Sequence, residues 1–323
     1  MKKRMMGIMV GALSLSLFAG SQKHETKVDS MNYETGAEWK IYSTGGAVKG
    51  FALYNNSVWS VTEAGITSIT VVASKKGDMQ TYKDLGGIPA KDATCIAVDY
   101  SGVVWIGTKA GLVMKTKDSF KVFTKDKGLS DNAVNKILPG RAGKLWVATE
   151  NGVSLYQNGA WTLYTSKDGL AGDNVRDIVM GPDGTVWFGT NKGISCLNGT
   201  TWSSYSMKNG LSWNDTKALG FDSKTGMVWA AVGDKDINAY DGKSWKVYME
   251  VGEGIVAIMV DTQSRVWIAT ATGLHQSGQV GKGELFFGRR RPEVESGQLG
   301  LDSPLVIIAQ QLQVVGFFRG EVC

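Results

Sequence analysis

The chain has 323 residues, 43% of them hydrophobic, with 35 Lys and Arg against 30 Asp and Glu for a formal charge of +5. The basic surplus gathers at the two ends, in Lys2-Lys3-Arg4 and Arg289-Arg290-Arg291, so the body between them is near neutral and lacks the basic stripe that nucleic acid or anionic lipid would require. With 3 Cys and 2 His in the whole chain there is no disulfide framework and no metal-ligand spacing, and neither a metal nor a cofactor is expected.

In chain order, residues 1–21 have the layout of a secretory signal: Lys2, Lys3 and Arg4, the apolar stretch Ile8–Phe18, then Ala19-Gly20-Ser21. The apolar stretch is too short to span a bilayer, and no transmembrane span is expected. Leu17-Phe18-Ala19-Gly20 resembles the end of a bacterial lipoprotein signal, but Ser21 stands where lipid attachment needs a thiol. Export to the periplasm or exterior, with cleavage after Ser21, is the expectation. Residues 22–37 then form a leader, 38–281 the folded body and 282–323 an irregular tail.

The body repeats. Val58-Trp59, Val104-Trp105, Leu145-Trp146, Val186-Trp187, Val228-Trp229 and Val266-Trp267 recur about every 40 residues, the period of an array of small β-sheets. Within one unit, Val175, Ile178 and Val179 form a first strand, Pro182-Asp183-Gly184 turns the chain, and Thr185–Thr190 is the second strand with Trp187. A third strand starts at Gly193-Ile194, and Asn198-Gly199 folds it onto Trp202–Tyr205. Gly107, Ala148, Gly189, Ala231 and Ala269 follow their tryptophans by two places, where bulk would hold adjacent sheets apart. Gly65, Gly111, Gly152, Gly193 and Gly273 suit a turn with positive φ, and Asp236 takes that place in the fifth unit. The fold expected is all-β: a six-bladed propeller of four-stranded antiparallel blades.

Outer strands follow at Met79–Tyr82, Phe120–Phe123, Trp161–Tyr164, Trp202–Tyr205 and Trp245–Tyr248. No strand of that pattern follows the sixth unit, whereas Trp39-Lys40-Ile41-Tyr42 precedes the first. This N-terminal strand is therefore expected to complete the last blade and close the ring.

The stretches Lys127–Val134, Gly181–Thr190 and Gly193-Ile194 resemble two-component regulator propeller repeats over about 240 residues. The resemblance implies an extracytoplasmic sensor propeller and, with polysaccharide-sensing members in view, an oligosaccharide or other cell-surface polymer as ligand. A looser likeness to streptogramin-lyase propellers rests on residues 181–187 and implies a catalytic His beside a carboxylate. His24 falls in the leader and His275 at the start of the irregular tail, so a non-catalytic, monomeric binding protein is the primary reading. A scaffold for a partner protein is the first alternative, and a lyase-like or polysaccharide-active enzyme the second.

The ligand-binding candidates lie in loops predicted to share one rim: Lys109, Glu150, Lys192 and Asp234 after the second strands, and Trp213 between the fourth and fifth units. Neighbouring loops carry Asp131 and Asp173 where Trp213 stands, so no scaffold requirement places an indole there, and its face suits stacking on a sugar ring. Asn132, Asn174 and Asn214 recur in successive units, which points to a structural Asx-type role. The six repeated tryptophans are assigned to packing between blades, and Cys95 and Cys196 to the interior.

Export makes one clear prediction. Protein recovered from an expressing bacterium should begin near Gln22 on N-terminal sequencing, and an intact Met1 in the cytosol would refute it.

Overall fold

The computed structural model describes residues 48–70, 79–117, 119–251, 254–270 and 273–277, with the backbone of four further strands at Met6–Gly11, Glu38–Tyr42, Phe287–Arg290 and Val314–Phe317. Six four-stranded antiparallel sheets follow one another along the chain, each ordered first to fourth strand from the centre outward. The first blade is Val48–Tyr54, Ser57–Thr62, Gly65–Thr70 and Met79–Tyr82. The second is Ala93–Val98, Val104–Thr108, Gly111–Lys115 and Phe120–Phe123, and the third is Val134–Pro139, Leu145–Thr149, Gly152–Gln157 and Ala160–Tyr164. The fourth is Val175–Met180, Val186–Thr190, Gly193–Asn198 and Thr201–Tyr205. The fifth is Thr216–Phe221, Val228–Val232, Asp236–Tyr240 and Trp245–Glu250, and the sixth is Ile255–Val260, Val266–Thr270, Gly273–Ser277 and Phe287–Arg290. Among the described residues no helix is long and apolar enough to cross a membrane.

Core and fold are the same thing here, because the apolar clusters lie between blades. Trp105 packs with Val134, Ile137 and Val147 of the next blade, Trp146 with Val175, Ile178 and Phe188, Trp187 with Leu219 and Ala230, and Trp229 with Ile258 and Ile268. Each indole is thus a wedge in the joint to the following blade, as its single strand position implied. The small residue two places on allows the approach. A Cβ on Gly107 would stand 2.7 Å from Val134 Cγ1, and one on Gly189 2.8 Å from Thr216 Cγ2, both across the joint. Cys95 and Cys196 are free thiols within these layers.

The Thr that ends most second strands builds the rim turn. Buried Thr149 donates its Oγ1–H to the Gly152 carbonyl at 2.9 Å and accepts from the Asn151 amide at 3.2 Å, and Thr62, Thr108 and Thr190 repeat both bonds. The glycine is needed twice over: Gly152 has φ 110°, and a Cβ there would lie 2.5 Å from the Tyr164 carbonyl. In the fifth blade Val232 has no hydroxyl to make the turn. The loop there is one residue longer, and Asp236 opens the third strand instead of a glycine.

Two expectations fail at the ring's ends. Trp39–Tyr42 does not complete the sixth blade: Glu38–Tyr42 pairs in parallel with Met6–Gly11, which pairs in turn with Val314–Phe317. The fourth strand of the sixth blade is Phe287–Arg290, antiparallel to Gly273–Ser277 and drawn from the stretch assigned to an irregular tail. A hairpin partner a few residues downstream closes a far shorter loop than one more than two hundred residues upstream. His275 accordingly lies mid-strand, opposite Ile268 and Arg289, rather than at the start of a tail. Residues 22–37, including His24, and the side chains of Trp39–Tyr42 lie outside the described residues.

These packing relations give a stability prediction for chemical denaturation. Gly189→Val forces the fourth and fifth blades apart and should cost about 1–3 kcal/mol, while Thr149→Val, which keeps shape but strips the turn of its hydroxyl, should cost about 1–2 kcal/mol. Unchanged midpoints in both variants would contradict the account.

Candidate functional site

Each first strand carries a β-bulge at its rim end, and the bulged residues are Lys49, Thr94, Asn135, Arg176, Lys217 and Val256. A bulge re-aims one side chain without shifting the rest of the ladder. Here it aims the side chain at the next blade. Thr94 Oγ1 donates to the Val134 carbonyl at 2.6 Å, Asn135 Nδ2 to the Val175 carbonyl at 2.8 Å, and Lys49 Nζ to the carbonyls of Lys91 and Ala93 at 3.0 and 3.4 Å. Three of the six bulged positions therefore hand hydrogen bonds from one blade to the backbone of the next.

At the fourth and fifth blades this pattern is replaced by charge. Arg176 Nη1 meets Asp215 Oδ1 at 2.6 Å, Lys217 Nζ meets Asp215 Oδ2 at 2.6 Å, and Lys217 Nζ also lies 3.9 Å from Asp234 Oδ1. Burial pushes the Asp215 carboxyl up, but hydrogen bonds and charge from Lys217 and Arg176 outweigh it and hold the group below the ordinary carboxylate value. Asp234 is almost fully in solvent, with 92% of its side chain accessible. One layer deeper, Lys136 pairs with Asp177 at 3.0 Å, and Asp177 accepts from the Leu219 amide at 2.9 Å, tying the third, fourth and fifth blades together.

Trp213 belongs to the same place. The connection from fourth to fifth blade forms a short turn at Met207–Asn209, buries Leu211, and enters the fifth blade at Thr216. Ser212 is pinned to buried Asn238 through two bonds, its amide donating to Oδ1 at 3.0 Å and its hydroxyl accepting from Nδ2 at 2.8 Å. Asn214 Oδ1 accepts from the Met207 amide at 2.8 Å. Trp213 is held between these two anchors with 54% of its surface exposed. Its ring lies over Gly233, where a Cβ would approach Cδ1 to 2.8 Å, and the Gly233 amide donates to the Asp215 carbonyl at 2.7 Å. The indole, Asp234, Lys217, Asp215 and Arg176 are therefore linked contact by contact.

The remaining candidates are dispersed. Lys109, Glu150 and Lys192 are exposed on the second-to-third strand turns of the second, third and fourth blades, so they share the rim with Asp234, and among the described residues no hydrogen bond or ion pair joins them to the Trp213 cluster. The amides of Lys109 and Glu150 donate to the Asp92 and Ala133 carbonyls, which fixes the backbone of those turns. The recurring Asx role is confirmed with one substitution of residue. Asn132 accepts from the Lys125 amide and Asn214 from that of Met207, but in the fourth blade Asp173, not Asn174, accepts from the Ser166 amide. By the same register the counterpart of Trp213 is Asp131 in one loop and Gly172, rather than Asp173, in the other. Among the described residues no cluster of His, Cys, Asp and Glu is arranged to hold a metal ion.

Sequence reasoning passed over Arg176 and Lys217 because the first strands read as short apolar runs. The usable signal was a polar residue inside the run, as in Val175-Arg176-Asp177-Ile178 and Thr216-Lys217-Ala218-Leu219. Such a residue marks a bulge when the apolar pattern resumes beyond it.

Residues 128–151 and 169–192 match the two-component regulator propeller repeat. Both matches run from the connecting turn, across the first strand, to the Thr-Gly turn. No curated protein sequence matches the chain. Among solved structures it is similar to the extracellular domain of a putative hybrid two-component system from B. thetaiotaomicron, at 17% identity and TM-score 0.61, covering 76% of this chain and 37% of that one. It is similar to PorZ, a surface component of the type-IX secretion system of Porphyromonas gingivalis, at 14% identity and TM-score 0.65, covering 85% and 47%. It also resembles virginiamycin B lyase from Staphylococcus aureus, at 14% identity and TM-score 0.61, covering 84% and 94%. The chain thus spans little more than a third of the sensor structure, and these likenesses establish the propeller fold.

The electrostatics of Asp215 can be tested by titration. Its folded pKa is depressed, so its stabilising pairs are fully formed above the ordinary value of 3.8 and are lost as pH falls through the lowered folded value. A carboxyl NMR titration should place Asp215 below ordinary Asp, and Arg176→Met should move it up. An ordinary value in the wild type would refute the pairing.

Proposed function

We propose that this chain is an extracytoplasmic, non-catalytic, sensor-like propeller that binds an oligosaccharide or another cell-surface polymer at the rim of the fifth blade. The observation that carries the reading is the coincidence of departures from the repeat. Trp213 stands where sister loops have Asp131 and Gly172, and exposed Met207 where they have Lys125 and Ser166. Val232 replaces the turn-forming Thr, and Arg176 and Lys217 reach a carboxylate where Thr94 and Asn135 reach backbone. Six repeats of one scaffold supply their own controls. What every blade shares serves the fold, and what a single neighbourhood alters in concert is free to serve a ligand.

The chemistry supports a sugar. A half-exposed indole offers a flat apolar face, and beside it lie the donors and acceptors that fix ring hydroxyls. Both ends of the Trp213 loop are bonded down, so little ordering cost falls on binding. The resemblance to an extracellular sensor domain and to a surface component supports an extracytoplasmic place for this propeller. Acid–base catalysis fits the cluster less well, since Asp215 is paired and held low rather than poised near neutrality, and His275 lies mid-strand in the sixth blade.

A glycan array followed by calorimetry on the best ligand tests the proposal. Trp213→Ala should weaken binding by roughly three- to tenfold or more, since aromatic contact contributes about 0.5–1.5 kcal/mol beyond area burial, and Trp213→Phe should recover part of it. Glycan affinity indifferent to both changes would move the site elsewhere. Capture of one partner protein through Trp213 without glycan affinity would favour the scaffold reading.

A further inference from the structure

We infer that the fifth-blade site selects an uncharged, hydroxyl-rich ligand and discriminates against acidic glycans; this rests on the reading of that site given above. The inference follows from how its charges are matched. Arg176 and Lys217 contribute two positive charges, Asp215 and Asp234 two negative ones, and all four are linked by contacts of 2.6 to 3.9 Å. The next residue along the loop, Lys235, is paired with Glu250. No unmatched charge is left in this network for a uronate, sulfate or ammonium group to meet.

An acidic ligand would have to draw Arg176 or Lys217 away from Asp215, leaving that partly buried carboxylate without its counter-ions. A neutral sugar needs no such exchange. A guanidinium has five N–H donors, of which one amino group faces Asp215, and an ammonium has three, so donors remain while the ion pairs stay formed. Asp234, at the solvent edge, retains acceptor lone pairs. Hydroxyl groups both donate and accept, which suits a surface where the two kinds of partner alternate over a few ångströms. Trp213 adds an apolar face that favours the C–H side of a pyranose over a charged substituent.

The test compares neutral and acidic oligosaccharides by calorimetry in 50 and 500 mM NaCl, using cello-, xylo- and manno-oligosaccharides against oligogalacturonides and sulfated glycosaminoglycan fragments. A neutral ligand should bind with affinity changing less than twofold between the two salt concentrations. Asp234→Asn, which touches only an exposed side chain, should leave the fold intact and raise affinity for an acidic oligosaccharide severalfold by unbalancing the network. Acidic oligosaccharides that bind the wild type in a Trp213-dependent manner and weaken tenfold or more in high salt would overturn the inference while leaving the site standing. Failure of every glycan, neutral and acidic, to bind the wild type would bring down the site reading and this inference together.

Discussion

A four-stranded sheet of this size has two apolar faces and no means of covering either, so everything in the molecule depends on how closely one blade can approach the next. The second strand sets that distance. Its tryptophan fills the joint and the glycine or alanine two places later keeps the joint narrow, with Gly107 and Gly189 pressed so near the following blade that no side chain fits. Big and small at fixed offset on one strand recur in five of the six blades, the first carrying Val61 at the small position. The other recurring parts serve this joint: the Thr-Gly turn fixes the end of the strand, and the buried Ser154, Ser195 and Asn238 receive the connection that carries the chain to the next blade.

The connections themselves show how short-range chemistry yields a long-range path. In the second-to-third, third-to-fourth and fourth-to-fifth crossings, a single turn ends at Gly128, Gly169 and Gly210, and the outer-strand indoles Trp161 and Trp202, with the backbone of Trp245, lie directly against those glycines. The leucines that follow, Leu129, Leu170 and Leu211, are buried. The chain is thus clipped to the blade it is about to enter before that blade's first strand begins. An Asx carboxyl or amide closes each turn over seven residues.

Blade number, strand order and nearly every strand boundary were legible because repetition amplifies weak signals: one Val-Trp is nothing, and six in register are a fold. The outer strand of the sixth blade was not legible, since Trp39–Tyr42 and Phe287–Arg290 are both candidates for that edge and periodicity is silent on which of two end segments pairs. The proposed site was half legible. Trp213 stood out as an aromatic without a counterpart, and Asp234 as a rim carboxylate. Lys109, Glu150 and Lys192 were chosen by rim position alone, and the structure leaves them on separate blades. Arg176 and Lys217 were hidden because a bulge makes residue spacing lie about direction: a side chain that strict alternation would send to one face is turned instead toward the rim loops around Asp215.

That bulge also bears on how such proteins change over generations. The bulged residue sits in the ladder without belonging to either of its faces, so its identity is uncoupled from the interlocking of indoles and small residues that holds the ring. Threonine, asparagine, arginine, lysine and valine all occupy it within this one chain. Blades that arise by copying therefore begin with a ready-made point of divergence, facing the centre and the rim loops, where new recognition can be tried one blade at a time while the inherited architecture stays untouched.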